Sequence, residues 1–412
     1  MTFPRYSQAE SPEFRDRMDR WMAVIASLFR DRLGANYVST ILMGGYGRGW
    51  GAVSVTPDGP MPVNDLDIAV VTRERLSPDD LYRLHEEATK LVNPASRYSM
   101  LDASAMDVHA DVMNFIETDF ASLAPTQFHL DLVHASRVVD GVDVLKSAGQ
   151  IGVSSLDMGD ALRLVFNHAI NLFEPCAVGP LTDEANRQAL FFTATKAAVA
   201  SGSAVIMVHG RYSPIPPERF EAFRALAAEG ALDGLLREAP DFGDVFERFA
   251  RDRSEVTGAK LAAAGQTYAT SRRIILEAAR YVLARLFGGP RIEDPLEIAR
   301  AVPSLWTTEF LKRQPLTPKG LAKRALQIAG LRKAPPSWRP RALVFGAGVA
   351  LLNALTLDAA DAPVVDAESL EAGRGMLRDA GVNVAGEALG MDGWMESGAA
   401  AVSALKRQSW IR

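Results

Sequence analysis

The first third of this chain contains two kinds of hydrophobic pattern, one with helical spacing and one typical of strands. Apolar positions recur at helical spacing over 11–33 and 77–91, which predicts helices there. Short apolar runs bounded by turn residues predict strands over 37–43, 65–72, 106–115 and 136–139. After residue 154 the strand-like runs stop and only helical periodicity continues. The pattern therefore predicts an α+β fold, in which a small mixed sheet with helices on one side precedes a mostly α-helical region.

The length of the chain predicts more than one domain. A single domain rarely reaches 412 residues, so we expect two or three. About half of the residues (48%) are apolar, which is enough for sizeable cores. The change of period and the glycine- and proline-rich breaks place three regions: a domain over 1–150 that includes the N-terminal helix, a helical domain over 151–290, and a C-terminal helical region over 291–412.

The stretch over 41–72 carries the candidate chemistry. Gly44 and Gly45 directly follow the first buried strand, so the backbone can turn tightly there and approach a ligand with no side chain in the way. A helix that starts just after such a turn would direct free N–H groups at an anion. Asp65 and Asp67 are two residues apart on the next strand, and alternation along a strand places both carboxylates on one face.

Two carboxylates on one strand face repel each other, and a bound cation offsets that repulsion. Hard divalent ions such as Mg²⁺ bind carboxylate oxygens, and substrate phosphates usually complete their coordination. A phosphate-binding glycine turn followed by an Asp-x-Asp strand therefore indicates metal-assisted phosphoryl chemistry. The alternative is a glycine-rich loop beside solvated acids at the end of a surface strand.

These residues resemble a known family, the nucleotidyltransferase superfamily with the DNA polymerase β-like fold. The resemblance is carried by the glycine pair after Met43 and by the run Asp65-Leu66-Asp67-Ile68. It covers about the first 145 residues of the chain. It implies that the glycine pair holds the phosphates of a nucleoside triphosphate and that the two acids bind the metal ions.

The resemblance also implies a third carboxylate on a later strand. The run over 106–115 supplies two candidates, Asp107 and Asp111, which alternate onto one strand face. We favour Asp111, because it opens the last apolar run of that strand. Asp107 is the alternative.

The resemblance implies an enzyme, a metal-dependent nucleotidyltransferase. Such an enzyme moves an NMP from an NTP to an acceptor hydroxyl, releases pyrophosphate and uses Mg²⁺ or Mn²⁺. The acceptor stays open between a small molecule, a protein side chain and a nucleotide. The second hypothesis is a catalytically inactive nucleotide-binding or interaction module on the same fold.

Two features depart from the family pattern. The spacer between Gly45 and Asp65 is long, and its residues over 52–63 include glycine and prolines that indicate an inserted loop. Trp50 stands where a small or acidic residue is expected. Arg48 precedes it, and its guanidinium could contact a triphosphate or pair with a nearby acid.

The helix predicted over 186–201 carries Lys196. This helix and the segments after it resemble the helical domain that follows the catalytic domain in some bacterial nucleotidyltransferases. In that setting Lys196 would contact the nucleotide. The alternative is a surface lysine on an amphipathic helix.

Charge and cysteine content narrow the function classes. The formal net charge of −5 argues against a general nucleic-acid binder, so nucleic acid is a possible but not a favoured partner. The single cysteine, Cys176, excludes an internal disulfide. We see no signal peptide, and the apolar run over 342–357 is shorter than the roughly 20 residues that a membrane span needs. We therefore expect a cytoplasmic protein without a transmembrane segment.

One segment is strongly basic. Residues 312–341 contain nine Lys or Arg residues and no acids. A basic amphipathic helix over 319–332 could bind an acidic patch of this protein or of a partner, an RNA backbone, or an anionic membrane surface.

Overall fold

The fold combines small sheets with many helices. The computed structural model of the chain describes residues 5–56, 59–63, 65–94, 108–149, 151–156, 159–173, 184–288, 292–302, 338–357, 363–384 and 390–409. Over this part of the chain, the structure combines small sheets of two to four strands with a helical C-terminal region. The α+β fold class is therefore confirmed.

The elements follow one another along the chain in this order. The helices are α1 (Pro12–Leu33), α2 (Gly44–Gly47), α3 (Pro78–Val92), α4 (Gln127–Ala135), α5 (Gly159–Asn171), α6 (Glu184–Met207), α7 (Pro216–Ala228), α8 (Asp233–Glu238), α9 (Phe242–Asp252), α10 (Gly258–Ala262), α11 (Ala264–Phe287), α12 (Trp338–Ala354), α13 (Ala367–Asp379) and α14 (Met391–Ser409). Residues 295–302 are also helical. The strands are β1 (Tyr37–Leu42), β2 (Val53–Thr56), β3 (Gly59–Pro62), β4 (Leu66–Thr72), β5 (Ala110–Ile116), β6 (Arg137–Gly141), β7 (Glu255–Val256), β8 (Leu355–Leu357) and β9 (Pro363–Val365).

The first helix starts where its capping residues predict. The hydroxyl of Ser11 accepts a hydrogen bond from the N–H of Phe14, and Pro12 occupies the first helical position. Helix α3 repeats this arrangement with Ser77 and Pro78. Both N-termini match the sequence prediction to within one residue.

The main sheet has four strands in the order β5-β4-β1-β6. Strand β1 pairs antiparallel with β4 and with β6, whereas β4 and β5 are parallel. The sheet is therefore mixed, as predicted, and β6 lies at its edge.

Helices cover one face of this sheet, but the other face is also covered. Residues of α1 and α3 pack with Leu66, Ile68 and Val70 of β4 in one buried cluster. On the opposite face, Ala69 and Val71 of β4 join a second buried cluster with residues from α4 and two 3₁₀ turns, among them Leu132, Phe120 and Val144. The prediction of helices on one side only is therefore wrong. Four consecutive residues of β4, 68–71, are apolar and buried, so this strand needs cover on both faces.

The predicted inserted loop over 52–63 is a β-hairpin. Strands β2 and β3 pair antiparallel, and β7 pairs in parallel with the other edge of β2. The prediction failed because Pro60 and Pro62 disfavour a strand. Strand β3 lies at the edge of its sheet, where proline is tolerated.

Three further sequence predictions are corrected. Strands do occur after residue 154, namely β7, β8 and β9. Helix α6 does not end at Gly202 but continues to Met207, and the hydroxyls of Ser201 and Ser203 donate to carbonyls one turn earlier. The apolar run over 342–357 ends as strand β8 rather than as helix. The basic helix predicted over 319–332 lies outside the described residues.

By its internal packing the chain divides into two compact units. The first contains Met1–Asp160, His209–Ala231 and Gly243–Ala263, and the second contains Ala161–Val208, Leu232–Phe242 and Ala264–Arg412. Each unit is thus assembled from separate stretches of sequence. The three consecutive domains over 1–150, 151–290 and 291–412 stay a prediction.

One helix of the described chain passes a length and composition test for a membrane span. It covers Arg187–Met207, and 89% of its most apolar window is buried inside the protein. Burial of this kind is also what the central helix of a helical domain shows.

Candidate metal centre

Three carboxylates come together at one edge of the main sheet. Asp65, Asp67 and Asp111 each offer a carboxylate oxygen, and these oxygens all lie within 4.8 Å of one another. All three residues are half-buried. The structure thus brings together the three acids that the sequence analysis favoured. Asp107, the alternative third acid, lies outside the described residues.

Strand pairing explains why the three acids meet. Strands β4 and β5 are parallel, and their register pairs Asp67 with Asp111. Side chains that are opposite each other on neighbouring strands point to the same face. Asp65 lies two residues before Asp67, so its side chain emerges on that face as well.

The glycine turn is held directly against this acid cluster. The N–H of Met43 donates to the carbonyl of Asp67 at 2.8 Å, which extends the pairing of β1 with β4. Gly44 then adopts a left-handed backbone conformation with φ +61°, and a Cβ at this position would come 1.8 Å from Oδ2 of Asp67. Gly44 is therefore required twice, by its backbone angle and by the carboxylate beside it. Gly45 has ordinary space around its Cα.

Arg48 connects the glycine turn to α4. Its Nε donates to the carbonyl of Gly44 at 2.8 Å, and its Nη1 lies 3.2 Å from Oδ2 of Asp131. Burial alone would lower the pKa of Arg48, but the carboxylates of Asp131 and Asp67 raise it above its usual value. Of the two roles left open for Arg48, the structure shows the ion pair with an acid. The influence of Asp67 places the same guanidinium beside the acid cluster.

Asp131 is the centre of a buried polar network that the sequence analysis missed. Its carboxylate accepts hydrogen bonds from the hydroxyl of Tyr212 at 2.8 Å and from Nε2 of Gln127 at 2.6 Å. Arg219 of α7 donates to the Tyr212 hydroxyl at 2.7 Å and lies 3.7 Å from Asp131. The network thus places a second arginine, Arg219, near the same carboxylate that pairs with Arg48. No local pattern marks these residues, because they converge from separate segments.

A third arginine reaches the site through the hairpin. The N–H of Val53 in β2 donates to the carbonyl of Ser254, and β7 continues this pairing. Arg253 precedes Ser254, and burial lowers its pKa to about 10. The positive charges of Arg48 and Arg219 act in the same direction, whereas the carboxylate of Asp65 opposes them. Arg253 is therefore within electrostatic reach of both the acid cluster and the other two arginines.

Two further candidates occupy distinct surroundings. Trp50 packs edge-on against Phe220 at 6.1 Å between ring centroids, so this departure from the family pattern supports the packing of α7. Lys196 lies in α6 within the second compact unit, and its Nζ is 6.0 Å from the ring centroid of Phe192. Contact of Lys196 with a nucleotide stays a prediction.

The donor set of the cluster suits a hard divalent cation. It consists of carboxylate oxygens only, which are the ligands that Mg²⁺ and Mn²⁺ prefer. Their mutual separation of less than 4.8 Å permits two or three of them to bind one ion. Their partial exposure leaves room for water or a substrate oxygen in the remaining positions. The residues therefore fit such an ion.

No family model, curated protein or solved structure gives a significant match to this chain. The resemblance noted from the sequence accordingly stays a prediction. The geometry of the site itself is therefore the basis for inferring function.

Proposed function

We propose that the protein is a metal-dependent nucleotidyltransferase. It moves the NMP part of an NTP to an acceptor hydroxyl and releases pyrophosphate. The observation that carries this proposal is the convergence of Asp65, Asp67 and Asp111, whose carboxylate oxygens lie within 4.8 Å of one another. Three carboxylates at this separation repel one another unless a cation offsets their charge.

The proposed metal ligands are Asp65, Asp67 and Asp111. Mg²⁺ or Mn²⁺ bound there would neutralise the triphosphate and make the acceptor hydroxyl more acidic. Asp111 belongs to the edge strand β5, and we assign it to the acceptor side of the site. Asp65 and Asp67 then face the triphosphate.

The reaction is an in-line displacement at the α-phosphorus. The acceptor oxygen forms a bond to this phosphorus, and the bond to the oxygen that bridges to the β-phosphate breaks. Pyrophosphate leaves with that electron pair, and the hydroxyl proton passes to the Asp111 carboxylate and then to water. The protein contributes mainly position and charge, as is usual for phosphoryl transfer.

The arginines supply the positive charge that the triphosphate needs. Arg253 has the carboxylate of Asp65 within electrostatic reach and shares a buried region with Arg48 and Arg219. Guanidinium groups bind phosphate oxygens in a bidentate manner. We assign Arg253 to the β- and γ-phosphates. Arg48 and Arg219 form ion pairs with Asp131, so we assign them to positive charge near the site rather than to direct contact with the phosphates.

Incubation with NTPs labelled at the α-phosphate tests this function. Each NTP is supplied with Mg²⁺ or Mn²⁺, alone and with cell extract, and the products are separated by size. We expect label in a new species, and no label transfer in EDTA. Asp65→Asn and Asp67→Asn should each reduce transfer by at least about a thousandfold. Asp119→Asn, which changes an exposed acid of the same unit, should leave transfer unchanged.

The size of the labelled species identifies the acceptor class among small molecule, protein and nucleotide. Metal-dependent NTP binding without any labelled product would instead support the inactive nucleotide-binding module. Absence of NTP binding would contradict both hypotheses. Arg253→Gln should raise the KM for NTP by about tenfold or more, because it removes a charge-assisted contact.

A further inference from the structure

The second compact unit contains a cavity of about 540 Å³. This volume lies within the range of small-molecule sites. One wall is a face of α11 that carries Arg272, Arg273, Glu277 and Arg280, and the opposite wall is formed by the end of α12 and the start of β8. The cavity is thus built from regular elements rather than from loops alone.

The polar wall of this cavity is positively charged. Three guanidinium groups face a single lining carboxylate, that of Glu277, which pairs with Arg280. The Arg280–Glu277 pair is largely buried, with side-chain exposures of 13% and 10%. Asp241 pairs with Arg273 at 2.6 Å. Even with both acids counted, one positive charge remains in excess.

Arg272 and Arg280 are close enough to affect each other. Burial lowers the pKa of Arg272, and the positive charge of Arg280 acts in the same direction. Arg272 also donates to the carbonyls of Leu352 and Asn353 at the end of α12, which fixes its guanidinium in place. Nε of Arg280 is buried and has no hydrogen-bond partner in the described part of the chain. An unsatisfied buried donor of this kind costs free energy.

Apart from Asn353 and Thr356, the rest of the lining is apolar or aromatic. Leu276 and Leu355 are buried, and Tyr268 presents an aromatic ring. A ligand that fits both walls carries an anionic group at one end and a planar or apolar body at the other. All three cations are arginines, whose planar fork matches phosphate oxygens better than a lysine does.

We propose that this cavity binds a small organic phosphate, of about the size of a mononucleotide. The phosphate lies against Arg280 and Arg273, and the body of the ligand packs on Tyr268 and Leu276. This site does not depend on a metal ion, because arginines rather than carboxylates hold the ligand. It is independent of the proposed transferase function.

Calorimetric titration with AMP and with inorganic phosphate, in EDTA at fixed ionic strength, tests the proposal. EDTA removes the divalent ions that the acid cluster in the first unit would need. We expect AMP to bind more tightly than phosphate, because only AMP gains from the apolar wall. The double variant Glu277→Gln/Arg280→Gln removes the guanidinium of Arg280 without leaving the carboxylate of Glu277 buried and unpaired. It should weaken AMP binding by about tenfold or more.

Two single variants sharpen the test. Glu277→Gln keeps all three arginines and removes the competing carboxylate, so it should bind AMP at least as tightly as the native chain. Arg285→Gln changes an exposed arginine of the same helix that does not line the cavity, and it should leave binding unchanged. Unchanged AMP binding in the double variant, or no binding of either probe to the native chain, would overturn the proposal. Equal affinity for AMP and for inorganic phosphate would contradict the proposal that the ligand has an organic body that packs on the apolar wall.

Discussion

The carboxylate of Asp67 lies directly against the Cα of Gly44, so closely that a Cβ on Gly44 would come 1.8 Å from Oδ2 of Asp67. The lack of a side chain at Gly44 therefore leaves space for a candidate metal ligand of the protein itself, the carboxylate of Asp67. Any ligand that enters the turn meets that carboxylate at once. The two halves of the sequence motif are thus one structural feature.

This contact predicts the effect of a methyl group at Gly44. Gly44→Ala should destabilise the protein by about 2–4 kcal/mol, because it adds a clash with Asp67 to the strain of a left-handed backbone. Gly210→Ala is the matched control: Gly210 also has a positive φ (+67°), but no atom lies within 4 Å of its Cβ position. It should cost only the backbone strain, about 1–2 kcal/mol. Urea unfolding of both variants measures the difference, and equal losses would contradict the contact.

Repulsion within the acid cluster predicts opposite effects of Asp67→Asn with and without metal. Without metal the variant should be at least as stable as the native chain, because the loss of repulsion from Asp65 and Asp111 outweighs the loss of attraction to the Arg48 guanidinium. With Mn²⁺ the native chain should gain about 2–3 kcal/mol at a hundredfold excess over Kd. The variant should gain little. Thermal unfolding with and without Mn²⁺ measures both effects, and a metal-induced rise of Tm that persists in the variant would argue against this site.

The network around Asp131 predicts a large loss of stability. Asp131→Ala leaves Arg48 and Arg219 buried without their carboxylate, and we expect a cost of about 3–5 kcal/mol. Asp119→Ala removes an acid from an exposed ion pair with Arg75, and it should cost less than about 1 kcal/mol. Chemical denaturation distinguishes the two. A cost for Asp131→Ala as small as that for Asp119→Ala would show that the network contributes little.

His85 predicts a specific dependence of stability on pH. Burial, with a smaller effect of His109, lowers the pKa of His85 from 6.5 to about 4. As the pH falls, the unfolded chain therefore takes up this proton before the folded chain does. The contribution of neutral His85 is complete above about pH 6.5 and is lost progressively between there and about pH 4, by up to about 3 kcal/mol.

His85→Asn keeps an acceptor near the N–H of Val112, which now donates to Nδ1 of His85 at 3.3 Å. The free energy of unfolding of this variant should fall less between pH 7 and pH 4.5 than that of the native chain. His134→Asn, at an exposed position of α4, should keep the native dependence. If His85→Asn and the native chain lose the same free energy over this interval, the assignment to His85 is wrong.

The local signals in the sequence predicted the acidic half of the candidate site. Alternation along β4 placed Asp65 and Asp67 on one face, and the apolar run of β5 placed Asp111 on the neighbouring strand. Glycine after a buried strand marked the turn. These features depend on neighbours within a few residues, so a single sequence suffices to find them.

The basic half of the site was not predictable in this way. The pairing of β7 with β2 brings Arg253 to the site, and these two strands are separated by about two hundred residues of chain. No local pattern in the sequence predicts a strand as short as β7. The hairpin of β2 and β3, with which β7 pairs, was not predicted because Pro60 and Pro62 disfavour a strand. Tyr212 and Asp131 meet only after α7 and α4 have packed. Such contacts are set by tertiary structure, which local periodicity does not encode.

The most direct test of the central claim asks which bond of the NTP is broken. The protein is incubated with Mg²⁺, cell extract as the source of the acceptor, and ATP or the NTP that it prefers, labelled once at the α-phosphate and once at the γ-phosphate; the same reaction with Asp65→Asn gives the background of the extract. The account predicts that the γ label leaves as pyrophosphate, that the α label enters a new species, and that Asp65→Asn abolishes both. Release of the γ label as inorganic phosphate, or both labels remaining in intact NTP, would contradict it.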